Sequence, residues 1–295
     1  MTKINKITEQ VNIKSKDIDN KEVIEILSII NEEDSSISKS VKQALPDISF
    51  FINKAIERMS KSGRLIYLGS GTSGRLGILD ASECSPTFGV SKKMVQGIIS
   101  GGDRAIKESI EGAEDSLTDS ITILKSINFN SDDIILGISA SGTTPFVLSA
   151  LQYANQIGAV TGFLTCNNLK PITYVDHLIK VIVGPEVISG STRMKAGTAT
   201  KMVLNMISTT SMIKLNHTHG NIMVDLLPKN KKLIERSLSI LMNELSLSEE
   251  EANKIYVSSN QNLKIAILMG KKDCSYESAC KQLKDNQGNL KKALK

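Results

Sequence analysis

The sequence predicts an α/β fold: a three-layer α-β-α sandwich around a five-stranded parallel sheet, preceded by helices and followed by a small helical domain. Three observations carry this. Five short apolar runs, "RLIYLGSG", "KMVQGIIS", "DIILGISASG", "AVTGFLTCN" and "HLIKVIVG", succeed one another with helix-like stretches between them, the rhythm of a parallel sheet covered on both faces. The segments before and after them lack such runs and have helical periodicity. A chain of 295 residues with 40% hydrophobic content can bury one large core and a small appendage. The expected organisation is an N-terminal helical segment over 1–50, the sheet domain over 51–228 and a small helical domain over 229–295.

In chain order, "NKEVIEILSIINEED" places Val23, Ile24, Ile26, Leu27 and Ile30 along one side of a helix, and "VKQALPDISFFINKAIERMS" makes another after Pro46. The first apolar run ends in a turn rich in glycine and hydroxyls, then a helix. After the second run, a helix from Arg104 is expected, with an apolar stripe of Ile106, Ile110, Ala113, Leu117 and Ile121 flanked by Glu111 and Glu114. The third run ends in "GISASGTTPF", where Pro145 marks a helix start. In "GPEVISGSTRMKAGTATK", Ser191 and Thr192 could open a helix aimed at a ligand, with Glu186, Arg193 and Lys195 as polar or cationic contacts; an ordinary capped helix explains the stretch equally well. Beyond "GNIMVDLLPKN" come short charged helices, three of them in the tail, broken near Asn260 and Gly270.

Composition narrows the function. No stretch reaches the roughly 20 apolar residues of a membrane helix, and "MTKINKITEQVNIKSK" lacks the apolar segment of a signal peptide, so a cytoplasmic protein with no membrane partner is expected. Cys84, Cys166, Cys274 and Cys280 form no C-x-x-C pair and read as reduced and structural. The net charge of +5 comes from lysines scattered among acids, with no Trp, so nucleic acid is disfavoured. Of His177, His217 and His219, the last two are spaced i, i+2, which suits no metal site.

Two turns compete for the ligand, since open parallel sheets bind beyond the carboxyl ends of their strands. "IYLGSGTSGRLG" has the glycine spacing of a dinucleotide fingerprint, but Met94 stands where the ribose-binding acid belongs and Asp103 comes too late. Its gaps hold Ser70, Thr72 and Ser73. The second turn offers Ser139, Ser141, Thr143 and Thr144. A phosphomonoester, with three oxygens and close to two charges, suits helix N-terminal amides and clustered hydroxyls better than a dinucleotide does. Capping of the two helices by the same residues is the alternative, less apt for two matched turns in one sheet. No Walker lysine follows either turn.

These turns, "GSGTSG" and "SASGTT", resemble the phosphosugar-binding turns of the sugar isomerase (SIS) domain superfamily, whose sheet is flavodoxin-like. The longer stretches "GRLIYLGSGTSGRLGILDASECSPTFG" and "VGPEVISGSTRMKAGTATKMVLNMISTTSMIKLNHTHGNIMVDL" resemble the N-acetylmuramic acid 6-phosphate etherase family, and the likeness extends from "TEQ" through "NEED" into the C-terminal helices, which would be UBA-like. The resemblance implies cleavage of the ether between C3 of the amino sugar and D-lactate, giving N-acetylglucosamine 6-phosphate, in amino-sugar catabolism and peptidoglycan recycling. It implies no cofactor, no metal, and a homodimer. The substrate-binding residues would be Ser70, Thr72, Ser73, Ser139, Ser141, Thr143, Thr144, Ser191 and Thr192.

The family's two catalytic acids map onto Glu83 in "DASECSPTFG", donor to the ether oxygen, and Glu114 in "ESIEGAEDS", which handles the C2 proton or the water. Ring opening gives an aldehyde, the C2 hydrogen becomes acidic, lactate departs from C3 and water adds in reverse roles. Pattern alone favours a solvated face for Glu114 and leaves Glu83 between capping and catalysis. An acid role for Glu83 would need a buried setting, for which Cys84, Pro86 and Phe88 are candidates. Glu83 lies ten residues beyond Ser73, about 15 Å along a helix, so either the chain turns back near Pro86 or Glu83 serves a neighbouring subunit. Where the family usually has Ala, Pro and Tyr, this chain carries Ser70, Ser85 and His219. The rivals are a sugar-phosphate-sensing regulator of the glucokinase regulatory protein type and an aldose–ketose isomerase.

Overall fold

The computed structural model describes residues 6–228 and 231–295. Three single 3₁₀ turns, Ile7–Glu9, Ile13–Ser15 and Ile18–Asn20, lead into α1 (Val23–Ser35), α2 (Ile37–Gln43) and α3 (Leu45–Ser60). A capping box starts α1, with the Glu22 N–H donating to Glu25 at 3.0 Å. Pro46 sits in the first turn of α3, where its missing N–H costs nothing.

Five parallel strands follow, β1 (Leu65–Gly69), β2 (Val95–Ile99), β3 (Ile134–Ile138), β4 (Val160–Thr165) and β5 (His177–Lys180), in the order β2-β1-β3-β4-β5. Every expected apolar run is a strand. The register rows identify the faces: Tyr67 lies beside Leu136, and Leu136 beside Gly162. On that face Gly162 meets the Phe51 ring of α3, and Tyr67 meets α4 (Gly71–Phe88) at Gly77 and donates to the Leu204 carbonyl of α8 (Lys195–Lys214). The opposite face packs Ile66, Ile135 and Phe163 against Phe146, Val147 and Leu151 of α7 (Pro145–Gln156). Helices on both faces explain why β1 and β3 are buried at every position.

The helix expected from Arg104 is not continuous. It stops as α5 (Arg104–Lys107); Gly112, at φ +74°, precedes a 3₁₀ turn, Ala113–Asp115, before α6 (Asp119–Ser126). The helix is left at Glu108, which is extended at φ −122° and ψ 161°, and the left-handed Gly112 keeps it from resuming across the apolar stripe.

The chain divides into two compact units, the first covering the N-terminal segments and sheet as far as Ser82 and again Lys93–Ser208, the second Glu83–Lys92 with Thr209–Lys295. The second unit contains a hairpin, β6 (Thr218–His219) with β7 (Ile222–Met223), and α9 (Lys231–Leu245), α10 (Glu249–Ser258), α11 (Leu263–Lys272), α12 (Tyr276–Asp285) and α13 (Leu290–Ala293), around Leu241, Tyr256, Ile267 and Leu268. The tail from Leu247 onward thus holds four helices, α10 to α13, rather than three. A break falls at Asn260 and Gln261, both at positive φ, but α11 runs through Gly270 and ends at left-handed Asp273. Gly270 is a contact, not a breaker: a Cβ there would lie 2.4 Å from Leu245 Cδ1. Asp225 accepts from Lys264 at 2.7 Å and pairs with His217 at 2.9 Å. Among the described residues no helix is long and apolar enough to cross a membrane.

Within the first unit, the N-terminal segment is bound to the sheet by buried polar groups. Asn167 Oδ1 accepts from the Ile7 N–H at 2.6 Å, its amide donates to Thr8 Oγ1 at 3.0 Å, and the Gly190 N–H donates to the Thr8 carbonyl at 3.2 Å. Glu33 receives the buried Lys195 ammonium and the Asn12 amide. Burial pushes the Glu33 carboxyl up, but the hydrogen bonds from Lys195, Asn12 and Lys14 outweigh it and hold the group below the usual carboxylate range. A lowered folded value contributes stability above the ordinary carboxylate range that is lost as pH falls through the folded value. Removing one partner leaves Lys195 buried without a counter-charge, so Glu33→Gln should cost about 3 kcal/mol and lower the thermal midpoint at neutral pH. That deficit should shrink in acid, where wild-type Glu33 is itself neutral; thermal melts at both pH values check this.

Candidate active site

Strand order places the site. β1 pairs with β2 on one edge and β3 on the other, so successive connections leave in opposite directions and a crevice opens beyond Gly69 and Ile138. Both hydroxyl-bearing turns emerge at that point.

At the first, α4 begins at Gly71, immediately after Ser70. The glycines answer to packing as well as to turn geometry: a Cβ on Gly74 would lie 2.6 Å from Ile99 Cγ1 and 2.7 Å from the Gly69 carbonyl. Ser70 Oγ is buried and has no hydrogen-bond partner among the described residues. At the second, Gly142 adopts φ +74° and Pro145 opens α7, with Thr144 as the N-cap. The hydroxyls form a chain: Ser139 Oγ lies 2.7 Å from Thr144 Oγ1 and 3.3 Å from Ser141 Oγ, and Ser141 Oγ is 3.2 Å from Thr143 Oγ1. Ser139 Oγ also accepts from the Gly142 N–H at 3.1 Å. Hydroxyl donors thus converge beside the amide end of a twelve-residue helix, a setting for an anion.

Ser70, Thr72 and Ser73 face Ser139, Ser141 and Thr144 across a cavity of about 240 Å³, which Thr192, Glu114 and Glu9 also line. A second cavity, about 340 Å³, shares Ser70, Gly71 and Glu114 and extends past Arg75, Ser100 and Ser109. Glu114 is exposed on the 3₁₀ turn after Gly112, at the wall common to both. Thr143 is exposed beside the first cavity and bonded to Ser141. Ser191 lines neither.

Several expectations are corrected here. The helix after "GSTRMK" starts at Lys195, not at Ser191 or Thr192, and its first amides are taken: Lys195 and Ala196 N–H both donate to Glu186 at 2.9 Å. Glu186 is wholly buried as that cap, and Lys195 is buried on Glu33, so neither is a ligand contact. Glu83 is exposed, although Cys84 and Phe88 beside it are buried, and it lines neither cavity. α4 continues through Pro86 to Phe88, so the chain does not turn back there. Pro86 removes one backbone hydrogen bond and crowds the preceding turn, yet α4 runs on for two further residues. Cys166, just after β4, is buried, and burial pushes its thiol up to about 12.

Glu9 is the charged residue lining the first cavity that sequence reading misses. It belongs to "TEQ", far from both turns in sequence, and only the tertiary bonds of Thr8 bring it to the cavity; a Cβ on Gly190 would lie 3.3 Å from Glu9 Oε2. Among the described residues no group of three His, Cys, Asp or Glu could hold a metal ion.

Gly142 should tolerate no side chain. Its φ is +74° and a Cβ would come within 2.5 Å of Leu169 Cδ1. Gly142→Ala is expected to cost about 1–3 kcal/mol, measurable by denaturant unfolding.

Residues 47–155, which hold both turns and Glu114, match the model of the glucokinase regulatory protein N-terminal SIS domain. Over nearly the whole chain the similarity is to another group. An N-acetylmuramic acid 6-phosphate etherase from Clostridium botulinum (strain Eklund 17B / Type B) is 48% identical, covering 98% of this chain and 96% of its own length. One from Geobacillus sp. (strain WCH70) is 47% identical over 97% and 98%, and one from Caldanaerobacter subterraneus subsp. tengcongensis is 48% identical over 98% and 95%. With such identity along its full length, the chain belongs to the N-acetylmuramic acid 6-phosphate etherase family.

Proposed function

We propose that the protein is a carbon–oxygen lyase that cleaves the D-lactyl ether of N-acetylmuramic acid 6-phosphate with water, releasing N-acetylglucosamine 6-phosphate and D-lactate. The observation that carries this reading is the cavity that joins hydroxyls from both turns to an exposed carboxylate, Glu114, at the switch point of the sheet. The Ser139–Ser141–Thr144 cluster and the start of α7 hold the phosphate, with Ser70, Thr72, Ser73 and Thr192 on the opposite side. Ser191 and Thr143 remain proposed contacts from beyond the cavity wall.

With the phosphate held, the open-chain aldehyde makes the C2 hydrogen acidic. Glu114 takes that proton, and Glu83 protonates the C3 oxygen as lactate leaves. Water then adds at C3 of the unsaturated aldehyde, with a proton returned to C2. The steps balance without an external oxidant or reductant. A role in reuse of cell-wall amino sugars follows from the products, and no cofactor is required.

Glu83 is supplied by a second copy of the chain. Leu79, one turn earlier on the same side of α4, is 52% exposed, and α1 presents Val23, Ile24 and Leu27 at 71%, 70% and 56%. Apolar side chains left outside a chain with so large a core mark surface that a partner covers. The regulator and isomerase readings share the phosphate cradle but need no pair of carboxylic acids.

Incubation with N-acetylmuramic acid 6-phosphate followed by a D-lactate assay tests the reaction; sugar bound or isomerised without lactate would remove it. Glu83→Ala should abolish lactate release, at least about 10³-fold, while Ser141→Ala should chiefly raise KM. Mixing inactive Glu83→Gln and Glu114→Gln proteins should restore up to about a quarter of wild-type turnover, because half of the dimers would carry one intact shared site. No restoration after subunit exchange would put Glu83 in its own chain's site.

A further inference from the structure

The cavity that receives the phosphate is short of positive charge. Its charged lining residues are Glu9 and Glu114, both acidic, and no lysine or arginine lines it among the described residues. A phosphomonoester brings close to two further negative charges at neutral pH. Hydroxyls and helix amides offset part of that repulsion, but they carry no net charge. Two nearby cations are committed elsewhere: Lys195 is buried on Glu33, and Arg75 donates to the Ile106 and Glu108 carbonyls at 3.0 and 2.8 Å; Arg193, next to Thr192, is exposed and does not line the cavity.

The first described residue of the chain is a lysine that reaches this turn. Lys6 Nζ donates to Thr143 Oγ1 at 2.9 Å, and Thr143 Oγ1 is 3.2 Å from Ser141 Oγ, inside the hydroxyl chain. The backbone that follows this lysine is anchored, which holds the base of its side chain near the turn. Ile7 N–H donates to Asn167, Thr8 is wholly buried with its carbonyl on the Gly190 N–H, and Glu9 follows in the cavity wall.

We infer that the segment Lys6–Glu9 is a built-in clamp for the phosphosugar, in which Lys6 supplies the counter-charge for the phosphate at the Ser139–Thr144 turn and Glu9 presents a carboxylate to sugar hydroxyls. The inference deepens the function proposed above and rests on it for the ligand class. One anchored segment thereby brings opposite charges to the two ends of one ligand: the ammonium neutralises the anion, and the carboxylate accepts from neutral O–H groups. An incoming phosphate has only to replace Thr143 as the acceptor of the lysine's proton.

The test is binding of N-acetylglucosamine 6-phosphate to the full-length protein by calorimetry, at low and at physiological salt, with N-acetylglucosamine as the uncharged comparison. Lys6→Met should raise Kd for the phosphorylated sugar about tenfold at low salt and less at high salt, whereas Lys6→Arg should stay within about twofold. Thermal midpoints of both variants should match wild type, since the anchoring bonds belong to residues 7, 8, 167 and 190. Glu9→Gln should weaken both sugars alike. Equal affinity of Lys6→Met and wild type would overturn the clamp while leaving the lyase reading intact. Absence of lactate formation with Lys6-dependent binding would overturn the lyase reading and keep the clamp. No binding of the phosphorylated sugar by wild type would remove both.

Discussion

The position of β1 between β2 and β3 is the constraint from which the site follows. Parallel pairing on both edges directs the connection after β1 toward one side of the sheet and the connection after β3 toward the other, so the two strand ends lie side by side with open space above them. The turns there are short of side-chain bulk and rich in hydroxyls; at the first, α4 starts two residues after the strand end, and at the second, six residues separate β3 from α7. Gly74 lets α4 pack within van der Waals distance of Ile99, and Gly142 adopts a backbone that other residues resist. Ser and Thr fill the remaining positions, and a polar cavity results.

Charge then divides the labour. The hydroxyl chain from Ser139 to Thr143 is neutral and can turn each O–H to donate to a phosphate oxygen. Glu114 stands exposed at the wall common to the two cavities, on the 3₁₀ turn that follows the left-handed Gly112. Glu186, in the connection that follows β5, is not a ligand contact. It is buried and caps α8, which keeps that helix start from competing for the anion.

Much of this is legible in the sequence. Five apolar runs become five strands, and both hydroxyl-rich turns come to one cavity, because strand burial and turn chemistry are local signals. What sequence reading misses depends on contacts across long separations. Glu186 and Lys195 read in the sequence as contacts to a ligand, and only folding shows them, with Glu33, buried. The stripe from Ile106 to Ile121 suggests one helix because periodicity registers neither the extended Glu108 nor the left-handed Gly112. Gly270 reads as a break, whereas a close helix crossing by Leu245 explains it. Glu9 gives no signal, since nothing near it in the chain says that Thr8 will be captured by Asn167.

That capture has a kinetic side. Thr8 meets Asn167 across a separation of 159 residues, and Gly190 lies further still. Closing so long a loop is entropically costly, and contacts of this span form late. During synthesis residues 7–9 must therefore wait until Asn167 and Gly190 have been made before they can dock. A nascent chain with its sheet already assembled would still lack one wall of its cavity, so ligand affinity should be among the last properties the maturing molecule acquires.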